Sequence, residues 1–337
     1  MTAPALTERV REELRRRIPL TWLPQPAPAH LRGTWREARP GRIEDSLAAA
    51  LDRPTGGWQV AGASADVPAD RSLVRTLLGR EIVLWRDTDG SLLAGPGSCP
   101  HLGALLDRCD VVGGQVLCRW HGMPLGRHTT PQWARWEAHD DGVLIWVRLP
   151  ESAPEDAPTE RPVLPVRPDP SASIAAVVAM PATCEPRDII ANRLDPWHGA
   201  WLHPYAFSHL AVDEEASSND RLVLDVAFRL GSRVGVPVRA DFTTPDRQSI
   251  VMTILEGEGA GSVVETHASA LTAPGVHPAR TMMTEATIAT SPRVGFQLAR
   301  HLSRVVTAGM RATARQLWVD DLAYAERTYT LRRRADG

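Results

Sequence analysis

Lysine is missing from this sequence of 337 residues: all 38 basic residues are arginine, a signature of a GC-rich genome rather than of a function. Set against 40 acidic residues they leave a net charge of -2, which excludes a general electrostatic attraction to nucleic acid. No apolar run approaches the ~20 residues of a membrane span. The first residues, with Glu8, Arg9, Arg11, Glu12, Glu13 and Arg15 to Arg17, lack the apolar core of a signal peptide. No G-x-G-x-x-G fingerprint follows a strand, so NAD(P)H is not expected to bind here. No internal repeat is present. These absences predict a cytoplasmic protein without an integral membrane segment, and the length suffices for two domains with cores of their own.

Cysteine is scarce as well, at four residues, and two of the four stand beside histidines. Cys99-Pro100-His101-Leu102-Gly103 and Cys118-Arg119-Trp120-His121-Gly122 each offer one thiolate and one imidazole. The set matches the ligands of a Rieske [2Fe–2S] centre, where cysteines hold one iron and histidines the other. Tetrahedral zinc also accepts two cysteines and two histidines and stands as the alternative. Zinc fingers, however, pair their ligands as C-x2–4-C and H-x3–5-H, whereas here each loop supplies one of each. Cys109 and Cys184 are left over and are expected to be reduced thiols.

The neighbours of these ligands refine the reading. Rieske proteins of the respiratory-complex type carry a further cysteine in each loop, and the two form a disulfide over the cluster. Ala104 and Trp120 occupy the corresponding positions here, and Met123 stands where that type has a hydroxyl donor. Fewer hydrogen bonds to the cluster sulfurs lower the potential. The motif resembles the oxygenase type.

Along the chain, residues 1–56 read as a helical leader followed by Pro-rich wrapping. A β-rich block over 57–150 contains strands at Trp58 to Gly62, Glu81 to Trp85 and Gly142 to Val147, with Asp89-Gly90 as a hairpin turn before Leu92. Residues 151–173 form a linker in which Pro154, Pro158, Pro162, Pro165, Pro168 and Pro170 disfavour regular structure. Over 174–337 a helical stretch near Asp188 to Trp201 precedes alternating strands at Leu222 to Leu230, Ser249 to Leu255 and Thr281 to Ile288. The last forty residues have helical periodicity, with Val305, Val306, Met310, Leu317, Val319 and Leu322 as apolar positions.

A second motif lies in that last block, Asn192-Arg193-Leu194-Asp195-Pro196-Trp197-His198-Gly199-Ala200-Trp201-Leu202-His203. Five residues apart, His198 and His203 would point about 140° from each other on a regular α-helix. Both can reach one ion only if the helix ends or distorts between them, and Gly199 and the His203-Pro204 step offer that opportunity. On its own the segment fits two ordinary histidines of a Trp-rich helix equally well. A carboxylate to complete a two-histidine iron site can come from Asp320, Asp321 or Glu326 in the C-terminal helix.

The segment matches the N-x2-D-x2-H-x4-H pattern of the Rieske non-haem iron oxygenases, and the resemblance extends from about Gly57 to the end. It implies an α+β chain: an all-β Rieske sandwich followed by a helix-grip catalytic domain whose antiparallel sheet forms the substrate cavity. The cofactors would be the cluster on Cys99, His101, Cys118 and His121 and a mononuclear Fe(II) on His198, His203 and Asp321. The family frame puts Asp320 and Glu326 beside that ligand. Asp195 would be the bridging carboxylate, hydrogen-bonded to His198 and, across a subunit boundary, to a Rieske histidine, His121. Asn192 would lie near the iron without ligating it. His209, His128, His139, His267 and His277 match no ligand position and read as structural.

The same resemblance implies hydroxylation, demethylation, desaturation or ring formation at the expense of O2. Electrons would come from a ferredoxin or flavin reductase, and the assembly would be a homotrimer. The Pro54-Thr55-Gly56-Gly57-Trp58 lead-in resembles actinobacterial Rieske proteins associated with carotenoid-type clusters, which suggests a small lipophilic, isoprenoid-like substrate. Val251, Met252, Ile254, Met282 and Met283 are expected to line its cavity or the core. An electron-transfer or regulatory protein that keeps the cluster but not the oxygenase chemistry is the alternative.

Overall fold

The computed structural model describes residues 21–24, 30–126, 133–149 and 157–335. The expected helical leader over residues 1–20, the start of the linker and His128 lie outside them. In the wrapping segment, the pair β1 (Thr21–Trp22) and α1 (Pro40–Leu51) do more than wrap. Pro40 sits at the start of α1, where its missing N–H costs nothing. Leu47 and Ala50 go into the core under the catalytic sheet. The stretch between them is tied to the second motif, since Thr34 donates to the Trp197 carbonyl and the Trp201 indole donates to the Arg32 carbonyl.

Three small antiparallel sheets follow: β2 (Trp58–Ala63) with β9 (Glu137–Asp140) and β10 (Leu144–Arg148); β3 (Leu73–Leu77) with β4 (Arg80–Arg86) and β5 (Leu92–Pro96); and β6 (Asp110–Val112) with β7 (Gln115–Leu117) and β8 (Pro124–Leu125). Asp89-Gly90 turns β4 into β5, with Gly90 at φ 86°. Strand alternation in β4 serves two cores at once. Ile82 and Leu84 pack with Ile145 and Val147, while Val83 and Trp85 face the cysteine loops, beside Val116, Cys99 and Cys118. The Trp85 indole donates to the Gly114 carbonyl and pins that lobe to the β4 face.

The remaining strands are β11 (Ser173–Ala182), β12 (Phe207–Val212), β13 (Arg221–Arg229), β14 (Val234–Asp246), β15 (Ser249–Gly257), β16 (Val263–Ala270) and β17 (Thr281–Thr290). They form one antiparallel sheet in the order β11-β17-β16-β15-β14-β13-β12, to which β1 adds through β14. Against it lie α2 (Pro186–Arg193) and, after the short α4 (Val294–Ala299), the long α5 (Ser303–Ala335). Between α2 and β12 runs the one-turn α3 (Gly199–Leu202). The core holds Ile189, Ile190, Leu222, Met252, Trp318 and Leu322 among others.

The buried stripe of α5 is Ala314, Trp318, Asp321, Leu322, Ala325 and Tyr329, a run at helical spacing. Val305 and Val319, read as apolar stripe positions from periodicity, are exposed. From residue 157 on, the described part of the linker enters β11 without a strand or α-helix of its own, and one arginine anchors it. Arg167 reaches Asp141 from the β9–β10 turn and Glu265 of β16, with Nη2 3.0 Å and 2.7 Å from their oxygens. Glu265 meets His267 at 3.2 Å, and the Ser249 hydroxyl lies 2.8 Å from the other ring nitrogen of His267. The junction between the small sheets and the large sheet is therefore a satisfied buried ionic network.

Candidate metal centres

The two loops that pair a cysteine with a histidine have one backbone design. Cys99 N–H donates to the Ala104 carbonyl and Gly103 N–H to the Cys99 carbonyl; Cys118 N–H donates to the Met123 carbonyl and Gly122 N–H to the Cys118 carbonyl. Each loop closes through a glycine in the left-handed region, Gly103 at φ 76° and Gly122 at φ 72°, where a side chain is strained. Cys99 and Cys118 are buried and unbridged, while His101 and His121 face outward with ring centroids 4.8 Å apart. Burial pushes the Cys99 thiol up, and the adjacent Cys118 adds to this. Ala104 is buried where a bridging cysteine would sit, Trp120 is exposed, and the Met123 sulfur lies 3.9 Å from Cys99 Sγ. Two buried thiols under two outward imidazoles fit a cluster with sulfur and nitrogen ligands on different irons.

The second motif folds as a broken helix. α2 ends at Arg193, Asp195-Pro196 starts a single 3-10 turn, and α3 runs to Leu202. His203, at φ -117° and ψ 55°, leaves the helix. Gly199 is ordinary right-handed helix rather than the expected distortion; its lack of a side chain instead leaves room for Leu210, which a Cβ would meet at 3.3 Å. The break before His198 and the exit at His203 turn both imidazoles the same way, toward α5.

There they meet Asp321. Its Oδ1 lies 2.9 Å from His203 Nε2 and 3.1 Å from His198 Nε2, and one ligand atom from each residue falls within 4.8 Å of the others. Two imidazoles and one carboxylate converging like this fit a mononuclear iron site with open positions. Burial disfavours the charged forms, but the carboxylates of Asp195 and Asp321 outweigh it and raise His198 to about 9. Burial likewise opposes ionisation of Asp321, yet the two histidines hold it well below the usual carboxylate range. Asn192 donates to the same Oδ1 at 3.3 Å. Asp320 points away from the convergence, accepting the Tyr205 hydroxyl at 2.7 Å, and Glu326 accepts the Thr183 N–H.

A model of the family described as "Domain of unknown function (DUF5914)" matches residues 153–336, more than half of the chain. The chain belongs to the DUF5914 family. Residues 57–140 match the Rieske [2Fe-2S] domain, so this DUF5914 member carries that cluster. Curated relatives include the oxygenase component of chloroacetanilide N-alkylformylase from Rhizorhabdus wittichii, 29% identical over 44% of this chain and 46% of the relative. The oxygenase subunit of vanillate O-demethylase from a Pseudomonas species is 36% identical over 22% of this chain and 20% of the relative. The chain thus spans less than half the length of these relatives. Among solved structures, dicamba monooxygenase bound to dicamba covers 83% of this chain and 88% of its own, at TM-score 0.58 and 18% identity. The 2-oxoquinoline 8-monooxygenase component covers 87% and 82%, at TM-score 0.54 and 15% identity. The fold is the α+β Rieske oxygenase fold.

Several contacts of the DUF5914 site lie outside the motifs. The Tyr205 hydroxyl sits 3.3 Å from Nδ1 of His203 while donating to Asp320, so this pair braces the ring from behind. Tyr324 donates to Asp195 Oδ2 at 3.1 Å and packs edge-on against His198. Asp195 itself stands 3.7 Å from His198 Nδ1, too long for the expected hydrogen bond within the chain. Among the described residues, Asp195 Oδ1 and His198 Nδ1 are buried without a hydrogen-bond partner.

Among the described residues, His209, His139, His267 and His277 stay clear of the convergence. His209 is exposed at φ 53° in an irregularity of β12, and His139 meets Trp58 edge-on. His267 belongs to the junction network, and His277 meets the Tyr329 hydroxyl.

Two cavities adjoin the site. One of about 60 Å3 lies against His198 and His203, and one of about 490 Å3 opens beyond it, toward α5. Met252 lines both, and Ile254 lines the larger. Val251 points to the opposite face of β15, Met283 is fully buried in the core, and Met282 lines a separate groove, so the expected lining holds for two of five.

Proposed function

We propose that this chain is the oxygenase component of a Rieske non-haem iron system. It would use O2 and externally supplied electrons to oxidise a small lipophilic organic molecule by hydroxylation, demethylation or desaturation. The observation that carries this is the convergence of His198, His203 and Asp321, with a small apolar cavity against the two histidines that shares lining residues with a larger one, in a chain that also has the Rieske loops. The names of relatives, an O-demethylase oxygenase subunit and monooxygenases, support the same chemistry. Cys99, His101, Cys118 and His121 would hold the cluster, and His198, His203 and Asp321 the iron. When bound, the pair of centres supplies stored single electrons and a site at which O2 is activated.

The chain's own residues do the positioning. Tyr205 and Asp320 fix the ring of His203, and Asn192 steadies the Asp321 carboxylate. Tyr324 fixes Asp195 and leaves its other oxygen for a donor from outside the chain. That orphaned oxygen supports Asp195 as the bridging residue of a head-to-tail homotrimer, with His121 of a neighbouring copy as its partner. A ferredoxin or flavin reductase would feed the outward imidazoles. In this reading 57–150 is the Rieske domain, 151–173 the linker and 174–337 the catalytic domain.

The direct test is reoxidation of the dithionite-reduced, full-length protein by O2. Cluster bleaching should reverse quickly in the wild type and slowly in His198→Ala, because one route to O2 has been removed. Equal rates in both would favour a cluster that only carries electrons.

A further inference from the structure

We propose that Arg193 anchors a carboxylate of the substrate, which is therefore an apolar molecule bearing one carboxylate; the proposal deepens the oxygenase reading and rests on it. Arg193 is the last residue of α2, next to Asn192, and it lines both the small cavity at His198 and His203 and the larger apolar one. It is thus placed where the two spaces meet.

Its guanidinium lies over two aromatic rings. The central carbon lies 5.3 Å from the Phe242 ring centroid and 5.8 Å from that of Trp318. Among the described residues it makes no hydrogen bond or ion pair, and its Nε is buried without a partner. Cation–π contact fixes the plane of the fork but satisfies none of its N–H groups. Other arginines of the interior, Arg167 and Arg332, are fully engaged with carboxylates. Arg193 is half-buried, and a buried N–H such as its Nε is costly to leave without an acceptor.

The nearby carboxylates are committed elsewhere. Glu285 takes the Trp318 indole at 2.7 Å and the Thr287 hydroxyl at 3.4 Å, and Asp321 takes both imidazoles. Arg193 lies near enough to both to favour their charged forms, yet it bonds to neither among the described residues. A ligand in the adjoining cavities can supply the acceptor that Nε lacks. A planar fork favours a bidentate carboxylate, and two acidic neighbours disfavour a dianion such as a phosphate monoester. The apolar body has its place in the 490 Å3 cavity, walled by Met252, Ile254, Val264, Phe296 and Leu317, a size that suits a ligand of moderate mass. A bare hydrocarbon would leave Arg193 unpaired.

The test is equilibrium binding to the iron-loaded, full-length protein, with dodecanoate, dodecan-1-ol and dodecyl phosphate as probes. The wild type should prefer dodecanoate over both others. Arg193→Gln should weaken dodecanoate by about 10- to 100-fold, as expected for a lost hydrogen bond to a charged group, and leave dodecan-1-ol unchanged. Arg193→Lys, a charge without the fork, should fall between. If Arg193→Gln does not fold, the wild-type ranking and Arg193→Lys decide. Equal binding of acid and alcohol by the wild type would overturn the proposal, as would tighter binding of the phosphate. So would equal weakening of acid and alcohol in Arg193→Gln, which would make Arg193 a structural counter-charge for Glu285. No electron donor or O2 enters this experiment. A negative result with iron and cluster intact therefore leaves the oxygenase reading standing, whereas failure to retain iron overturns that reading instead.

Discussion

Oδ1 of Asp321 lies 2.9 Å from Nε2 of His203, although 118 residues separate the two in sequence. The contact exists because Asp321 is the one acid in the buried stripe of α5, and because His203 has left the helix that carries His198. The next residue, Asp320, faces the other side and holds Tyr205. The two acids therefore have different tasks. Asp320→Ala and Tyr205→Phe should each keep the site but weaken iron retention by about 10-fold, the usual scale for a partner that orients a ligand. Iron remaining after graded chelation checks this. Complete loss of iron in Asp320→Ala, with retention in Asp321→Ala, would reverse the assignment.

The cluster makes a separate prediction. Cys99→Ser and Cys118→Ser should abolish the red-brown colour and the rhombic EPR signal of the reduced protein, since thiolate is the ligand removed. The mononuclear site lies on other elements, so its iron should remain in both variants if they fold.

Much of the site was legible in sequence because ligand spacing is local. The paired Cys and His residues and the His198/His203 spacing announce themselves within a dozen residues; the choice of Asp321 over Asp320 and Glu326 follows from a family frame, and α5 places Asp321 beside the two histidines while the other two acids face elsewhere. What stayed hidden is tertiary. Tyr205, Tyr324 and Arg193 matter through residues far away in sequence or through the shape of two cavities, and no local pattern marks them. The helix at Pro40–Leu51 was masked by the prolines around it. Periodicity alone chose Val305 and Val319 for the packed face of α5, whereas the sheet selects the stripe that includes Asp321. Arg167 read as one more linker residue until Asp141 and Glu265 surrounded it.

That arginine predicts a pH dependence. Burial alone would raise Asp141 and Glu265, but the Arg167 guanidinium overrides it and holds both below their ordinary values of 3.8 and 4.5. Carboxylates with depressed pKa values contribute stability above those ordinary values and lose it as pH falls through the folded ones. Arg167→Met leaves two buried charges unpaired and should cost about 3–5 kcal/mol at pH 7. The deficit should shrink below about pH 4, where protonation removes the unpaired charges. Denaturant melts at both pH values measure it, and a deficit that is the same at each would contradict the network.

Electron transfer between copies is testable by mixing. His121→Ala should lack a working cluster and His198→Ala the catalytic iron, so each alone is inactive. In the proposed homotrimer, assemblies reconstituted from both would contain junctions where an intact cluster faces an intact iron site, and part of the O2-dependent reoxidation should return. Asp195→Asn should slow the same transfer in otherwise wild-type trimers while both metals stay bound. Mixtures that co-assemble yet remain inactive would remove Asp195 and His121 from that junction.

The account stands or falls on metal content. Iron and acid-labile sulfide measured on the purified full-length chain should give three irons and two sulfides, two irons in the cluster and one on the histidine–carboxylate site. Asp321→Ala should drop to two irons with the Rieske EPR signal unchanged. A colourless wild type with stoichiometric zinc, or a wild type with two irons that Asp321→Ala does not alter, would contradict it.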